Sequence, residues 1–318
     1  MSSKSLTVVF GTASIGNSEP WTSDEYVNEA FEILKKHGVK NLDSAQLYGK
    51  SEEKLGELKA GDKFIVDTKW LGGFTGKWAS KENIVNTAKE SIKKLGVKQV
   101  DIFYIHAPDK ETPLEETLEG VNEVYKLGLF KRFGLSNYKV EDVEKAYDIA
   151  KKNDYVLPSV YQGNYSPVAR LQDTLLFPTL RKLKMSFYAY SPLAGGFLTK
   201  TAQQIKDGAG RFSEQALGGM YRQMYMKDSY LNALEKWESI ANEEGVSRAE
   251  LAYRWVAYNS PLSNEHGDGI IIGASRKEQL EQTLEGIKKG KLSDKAAKSI
   301  DEIWEEIKHE APLDNFSR

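Results

Sequence analysis

The feature that most constrains the fold is an alternation. Short β-branched or aromatic runs are each followed by an amphipathic stretch at helical spacing, and the pair recurs along the chain without any fixed-period sequence repeat. "SDEYVNEAFEILKKHG" places Tyr26, Val27, Ala30, Phe31 and Leu34 on one helical face, with Ser23 as N-cap and Gly38 as the stop. "VKNLDSA" then reads as a strand. The cycle continues with a helix over 51–58, strand "KFIVDTK", helix "SKENIVNTAKESIKKLG", strand "VDIFYIH", helix "PLEETLEGVNEVYKLG" and strand "FKRFGLS". Helix "VEDVEKAYDIAKKN", strand "LPSVYQ", a helix over 175–183 and strand "MSFYAYS" come next. "SRAELAYRWVAYN", opened by the capping-box pair Ser247 and Glu250, precedes "GIIIGAS" and a final helix over 294–309.

Seven β-then-α units are plain, and the run from Leu284 to Ile287 is taken as the eighth strand. Parallel strands need crossover connections, and a parallel sheet must be covered on both faces. The expectation is therefore an α/β chain: one (β/α)8 TIM barrel domain over residues 1–318, with long binding loops at the C-terminal face of the barrel. An open doubly wound sheet is the alternative, but no G-x-G-x-x-G follows the first strand. The stretch from Pro192 to Tyr230 is Gly-rich and lacks clear periodicity, and a loop of such length in a compact domain is usually functional.

Composition removes several function classes. With 44 Lys and Arg against 46 Asp and Glu, the net charge is −2 and no basic run is interleaved with aromatics, so nucleic acid is not an expected partner. The absence of cysteine excludes disulfides, thiolate metal sites and a Cys nucleophile, and no metal is expected. "MSSKSLTVVFG" is too short for a signal h-region, and no segment approaches the roughly 18 apolar residues of a membrane span, so a cytoplasmic protein without a membrane partner is expected. The sequons at Asn164 and Asn315 are then chance matches.

In a (β/α)8 barrel, chemistry collects where strands end, and here the predicted strand ends are polar. They present Asp43, Lys69, His106, Ser136 with Asn137, Gln162, and Tyr190 with Ser191. "NLDSAQLYGKSE" adds Tyr48, five positions after Asp43. Taken singly, each has an ordinary explanation: a turn for Asp43 and Tyr48, a hydrogen-bonded structural histidine for His106. Together they converge on one barrel mouth. A phenol, a Lys, a His and a carboxylate suit proton donation to a carbonyl: Lys69 lowers the phenol pKa from about 10, Asp43 keeps Lys69 charged, and neutral His106 donates a hydrogen bond to the carbonyl oxygen.

This set, in this order, resembles the aldo-keto reductase superfamily. "LDSAQLYG", "DTKW", "DIFYIHAPD", "ETLEGVNEVYKLGLFKRFGLSNY", "VYQGNYS", "FYAYSPLAGGFLT" and "GASRKEQLEQ" are most similar to its aflatoxin aldehyde reductase branch, and the likeness runs from "FGTASIG" to "DNFSR". The resemblance implies NADPH-dependent reduction of aldehydes and reactive ketones, a detoxifying role, and Tyr48 as general acid assisted by Asp43, Lys69 and His106. It also implies that Ser136, Asn137 and Gln162 hold the nicotinamide carboxamide of NADPH/NADP+ with Tyr190 stacked on the ring, and that Gly11, Thr12, Asp43 and Gln282 belong to the cofactor-binding set. Ser191, Pro192, Leu193, Ala194, Gly195 and Gly196 would follow the pyrophosphate. Arg211, Ser275, Arg276 and Gln279 would surround the adenosine phosphate, where arginines favour NADPH over NADH.

Around a small-molecule carbonyl the implied pocket holds Tyr48, His106, Trp21, Trp70, Tyr221, Arg222, Met224 and Arg318. Where mammalian members of the branch read "YRNR" this chain reads "YRQM", so Met224 replaces an Arg that helps bind carboxylate-bearing substrates. Thr283 replaces an Asn commonly seen near the adenine. Relatives are often dimers, which makes a second copy of the chain a candidate partner. Two other functions stay in view. A Schiff-base lyase would use Lys69, but needs it neutral beside Asp43. A redox-sensing subunit similar to potassium-channel β subunits would keep the same tetrad, but a barrel starting near Met1 leaves little room for an N-terminal inactivating segment.

Overall fold

In the computed structural model, residues 6–76 and 78–317 are described. Eight strands close a barrel in sequence order, each parallel to its neighbours: β1 (Thr7–Gly11), β2 (Asn41–Asp43), β3 (Ile65–Trp70), β4 (Val100–Ile105), β5 (Phe130–Ser136), β6 (Pro158–Asn164), β7 (Ser186–Tyr190) and β8 (Gly269–Ile272). The strand–helix alternation thus produces the expected (β/α)8 barrel.

Two strand assignments change. The barrel opens on "TVVFG", whose β-branched run pairs with β8 on one side and β2 on the other. Leu284 to Ile287 is not a strand: it lies in the helix Lys277–Lys288, where Leu280, Leu284 and Ile287 recur at helical spacing and are buried. A short apolar run carries no period of its own, so only its longer context separates helix from strand. The predicted helix over 175–183 is two short ones, Gln172–Leu175 and Phe177–Lys182.

The helices start where capping chemistry puts them. Ser23 accepts a hydrogen bond from the Tyr26 amide, and Ser80 one from the Asn83 amide. Helix Asp24–Lys36 turns Val27, Ala30, Phe31 and Leu34 inward, and burying each larger side chain contributes about 1.5–3 kcal/mol. Strand period divides the core in two. Val9, Ile102, Tyr104, Val160, Tyr188 and Ile271 form a cluster of their own, and alternate residues such as Phe10, Phe103, Tyr161 and Phe187 join the larger core.

The stretch after β7 looked aperiodic because it buries aromatics rather than a regular face. Phe197, Phe212, Tyr221, Tyr225 and Tyr230 contact one another ring to ring across short helical turns, including Ala202–Lys206 and Met220–Tyr225. No described helix is long and apolar enough to cross a membrane.

Candidate active site

The C-terminal ends of β2 and β3 build the centre. Lys69 is fully buried, and its ammonium donates to Asp43 Oδ2 at 2.6 Å and to the Ser44 carbonyl at 2.8 Å. Gln162, at the end of β6, donates to the other carboxylate oxygen at 3.0 Å. Asp43 therefore has both oxygens engaged, which a buried carboxylate requires.

From Asp43 the chain turns back over this pair. The Gln46 amide donates to the Lys69 carbonyl at 3.0 Å, and the Tyr48 amide to the Ala45 carbonyl at 2.9 Å. Asn17 clasps the far side of the turn, donating to the Tyr48 carbonyl at 2.9 Å and accepting from the Lys50 amide at 3.0 Å. The result sets the Tyr48 ring 4.9 Å from the Lys69 ammonium and, edge to face, 5.7 Å from the His106 ring. All four tetrad residues are thus brought together.

Their protonation follows from burial and charge. Burial works against charge on Lys69, but Asp43 and Tyr48 outweigh it and raise its pKa. Burial first and Lys69 second push His106 well below its ordinary value, leaving a neutral imidazole. For Tyr48 the expected lowering is reversed. Lys69 does pull the phenol down, by charge and by hydrogen bond, but withdrawal from water is the larger effect and the net shift is upward. The group is accordingly held as the proton-bearing phenol.

Asn137, with φ of 60°, donates to the His106 carbonyl at 2.8 Å and to Ser136 Oγ at 3.1 Å, and its own oxygen accepts from the Tyr190 hydroxyl at 2.7 Å. Thr12 Oγ1 donates to the Asp43 carbonyl at 3.0 Å, beside Gly11 at the end of β1. After β7 the backbone takes left-handed conformations at Ser191, Ala194, Gly195 and Gly196. A Cβ on Gly195 would lie 2.2 Å from the Tyr221 ring, so only glycine lets this turn settle there. Beside it stand Arg211 and Lys200, neither paired with a carboxylate among the described residues; burial, then Arg211, lowers the Lys200 pKa. Pro192 and Leu193 lie in the same turn, between Ser191 and the glycines. Ser275, Arg276, Gln279 and Gln282 are exposed where β8 leads into helix Lys277–Lys288, and the Gln279 side chain accepts from the Ser275 amide at 3.2 Å. A ribbon of backbone turns flanked by cations of this kind is suited to holding a dinucleotide.

The expected substrate residues divide. Tyr221 lies close enough to Tyr48 to affect its titration, and its hydroxyl is 3.4 Å from Ser191 Oγ and from an Arg211 nitrogen. Met224 is buried in the core. Trp21 packs on Phe10 and Tyr26 and donates to the Ser275 carbonyl at 2.9 Å, so it props the β8 loop instead of facing the tetrad. Trp70 follows inward-facing Lys69 and so points to the opposite face of β3, into the main core. Arg222 is turned to the Phe212 carbonyl, 3.2 Å away. Arg318 lies outside the described residues.

Sequence reasoning missed Asn17, Lys200 and an aromatic wall. Phe74 meets His106 edge to face at 5.3 Å, and Phe316 meets Phe74 at 5.2 Å. Asp314 fixes the turn by accepting from the Phe316 amide at 2.7 Å, and the Asn315 amide donates to the Tyr190 hydroxyl at 3.3 Å. The one available signal was the lysine shortly after "LAGG"; the other three depend on chain segments far apart in sequence.

Comparison with known proteins agrees with this geometry. The aldo/keto reductase family profile matches residues 7–305. The chain is 37% identical to the oxidoreductase sirO of Leptosphaeria maculans over 316 residues, 96% of this chain and 95% of that protein. It is 38% identical over 288 residues to an aldo-keto reductase of Pseudocercospora fijiensis, covering 87% and 97% of the two chains. It is 34% identical over 318 residues to aflatoxin B1 aldehyde reductase member 2 of Homo sapiens, covering 96% and 88%. The closed barrel, the tetrad at its mouth and these matches place the chain in the aldo/keto reductase family, as an oxidoreductase.

Proposed function

We propose that the protein reduces aldehydes and reactive ketones to alcohols with NADPH, using Tyr48 as general acid. The observation that carries this is the buried Lys69–Asp43 pair beneath a protonated Tyr48 and beside a neutral His106. When bound, the nicotinamide supplies the hydride that reduces the carbonyl carbon. Everything else falls to the chain. A carbonyl oxygen between the Tyr48 hydroxyl and His106 meets two donors, and as negative charge grows on it the Tyr48 proton moves across. Lys69, kept charged by Asp43, stabilises the phenolate left behind. Asn137 and Gln162 offer amide groups for a carboxamide, and Arg211, Arg276 and Lys200 offer charge for phosphates. The same charged Lys69 argues against a Schiff-base lyase, which needs a free amine.

With Met224 in place of a cation and the Arg222 guanidinium turned away, uncharged carbonyls are the favoured substrates, in keeping with a detoxifying reductase of the cytoplasm. The test is NADPH oxidation against a panel of charged and uncharged aldehydes, dicarbonyls and ketones, with Tyr48→Phe alongside. The variant should lose nearly all turnover while NADPH still quenches protein fluorescence at wild-type concentrations. Undiminished turnover in Tyr48→Phe would end the assignment of the acid.

A further inference from the structure

Away from the barrel mouth, one cluster among the described residues gathers metal-ligating side chains. His37 caps the C-terminus of helix Asp24–Lys36, and Glu281 and Glu285 stand one turn apart on helix Lys277–Lys288. A ligand atom from each lies within 4.8 Å of the others. Both ring nitrogens of His37 are shielded from solvent, and neither has a hydrogen-bond partner among the described residues. The ring as a whole is only half-buried, but two shielded nitrogens left idle are costly unless something occupies one of them.

We propose that His37, Glu281 and Glu285 form a site for a divalent transition-metal ion of the zinc type, clamping the two helices together. One imidazole and two carboxylates make a mixed nitrogen and oxygen donor set. The nitrogen favours zinc, cobalt or nickel over calcium or magnesium, and two carboxylates neutralise the ion's charge. Water would complete the coordination. Burial lowers the His37 pKa, with Lys288 and Lys36 adding to the effect, so the ring is neutral and ligand-ready at neutral pH.

The charges facing His37 set the competition. Lys36 donates to Glu281 at 2.6 Å, and Lys288 stands nearby. The Lys36–Glu281 pair lies at the surface, with the lysine side chain 64% exposed, and such pairs contribute little, so a metal ion can displace it. The consequence for the fold is local. Helix Lys277–Lys288 begins next to Ser275 and Arg276, and a metal clamp would fix that helix against Asp24–Lys36 without touching the tetrad.

The site is tested on the intact protein by calorimetric titration with zinc and by melting with and without it, alongside NADPH binding as a check of folding. The wild type should bind one zinc ion here and melt at a higher temperature with it. His37→Gln and the double variant Glu281→Gln/Glu285→Gln should each weaken zinc binding by more than the roughly tenfold that loss of an outer-shell partner costs, with NADPH binding unchanged. Lys36→Ala keeps all three ligands and removes a competitor, so it should tighten zinc binding; this variant keeps the test decisive if another fails to fold. No saturable binding by the wild type, equal affinity in the ligand variants, or zinc displaced by an equal concentration of magnesium would overturn the proposal.

Discussion

Lys69→Met separates two roles of one residue. The wild-type lysine is fully buried, and its partner Asp43 is almost so. Removing the cation leaves a carboxylate in the barrel with Gln162 as its side-chain donor. Stranding one member of a buried pair costs about 3–5 kcal/mol, which for a chain of this size lowers the melting temperature by roughly 4–8 °C. The double variant Asp43→Asn/Lys69→Met removes both charges and should recover most of that loss, because no uncompensated charge remains. Neither variant should turn over substrate, since the phenolate left on Tyr48 would have no cation beside it. Thermal melting by circular dichroism, with NADPH oxidation on the same samples, gives both readouts. The Lys69 pKa is raised above its ordinary 10.5, so the lysine's contribution is complete below that pH and disappears only as pH rises through the folded value. A double variant as unstable as Lys69→Met would trace the loss to packing instead of charge. Turnover retained by Lys69→Met would remove the lysine from the proton-transfer step.

Other outcomes follow from the same structure. His106 titrates well below 6.5 when folded, so its neutral burial favours folding above about pH 6.5 and that advantage falls away on acidification; His106→Gln should flatten this part of the stability profile, by up to about 1.4 kcal/mol per pH unit, in urea titrations at several pH values. Gly195→Ala would force a methyl against the Tyr221 ring at a positive φ, and should cost about 1–3 kcal/mol and weaken NADPH binding, read by melting and by fluorescence. Arg211→Ala should raise KM for NADPH far more than for NADH and leave kcat nearly unchanged; equal effects on the two cofactors would mean that Arg211 does not meet the extra phosphate.

Period and strand-end chemistry carried most of the fold and the heart of the site. Alternation of β-branched runs with helical stretches requires parallel strands and crossovers, and the side chains at the ends of β2, β3, β4, β5, β6 and β7 meet because barrel closure brings those ends to one rim. Asp43, Tyr48, Lys69 and His106 could therefore be picked out together from sequence order alone. The first strand could not, because "TVVFG" and the run at Leu284 are both too short to declare a period, and only pairing with β2 and β8 distinguishes them.

Tertiary structure decided what depends on desolvation and on distant contacts. The sequence could place Lys69 near Tyr48, but not weigh its charge against the loss of water around the phenol, and burial proved the larger effect. It could name Trp21, Trp70 and Arg222 as pocket candidates, but not the direction each side chain takes. A shift of one position along a strand reverses the face presented, and a guanidinium follows whichever carbonyls the folded loop leaves open to it. Phe74 meets His106 on one side and Phe316 on the other, and His37 meets Glu281, only after the barrel has closed.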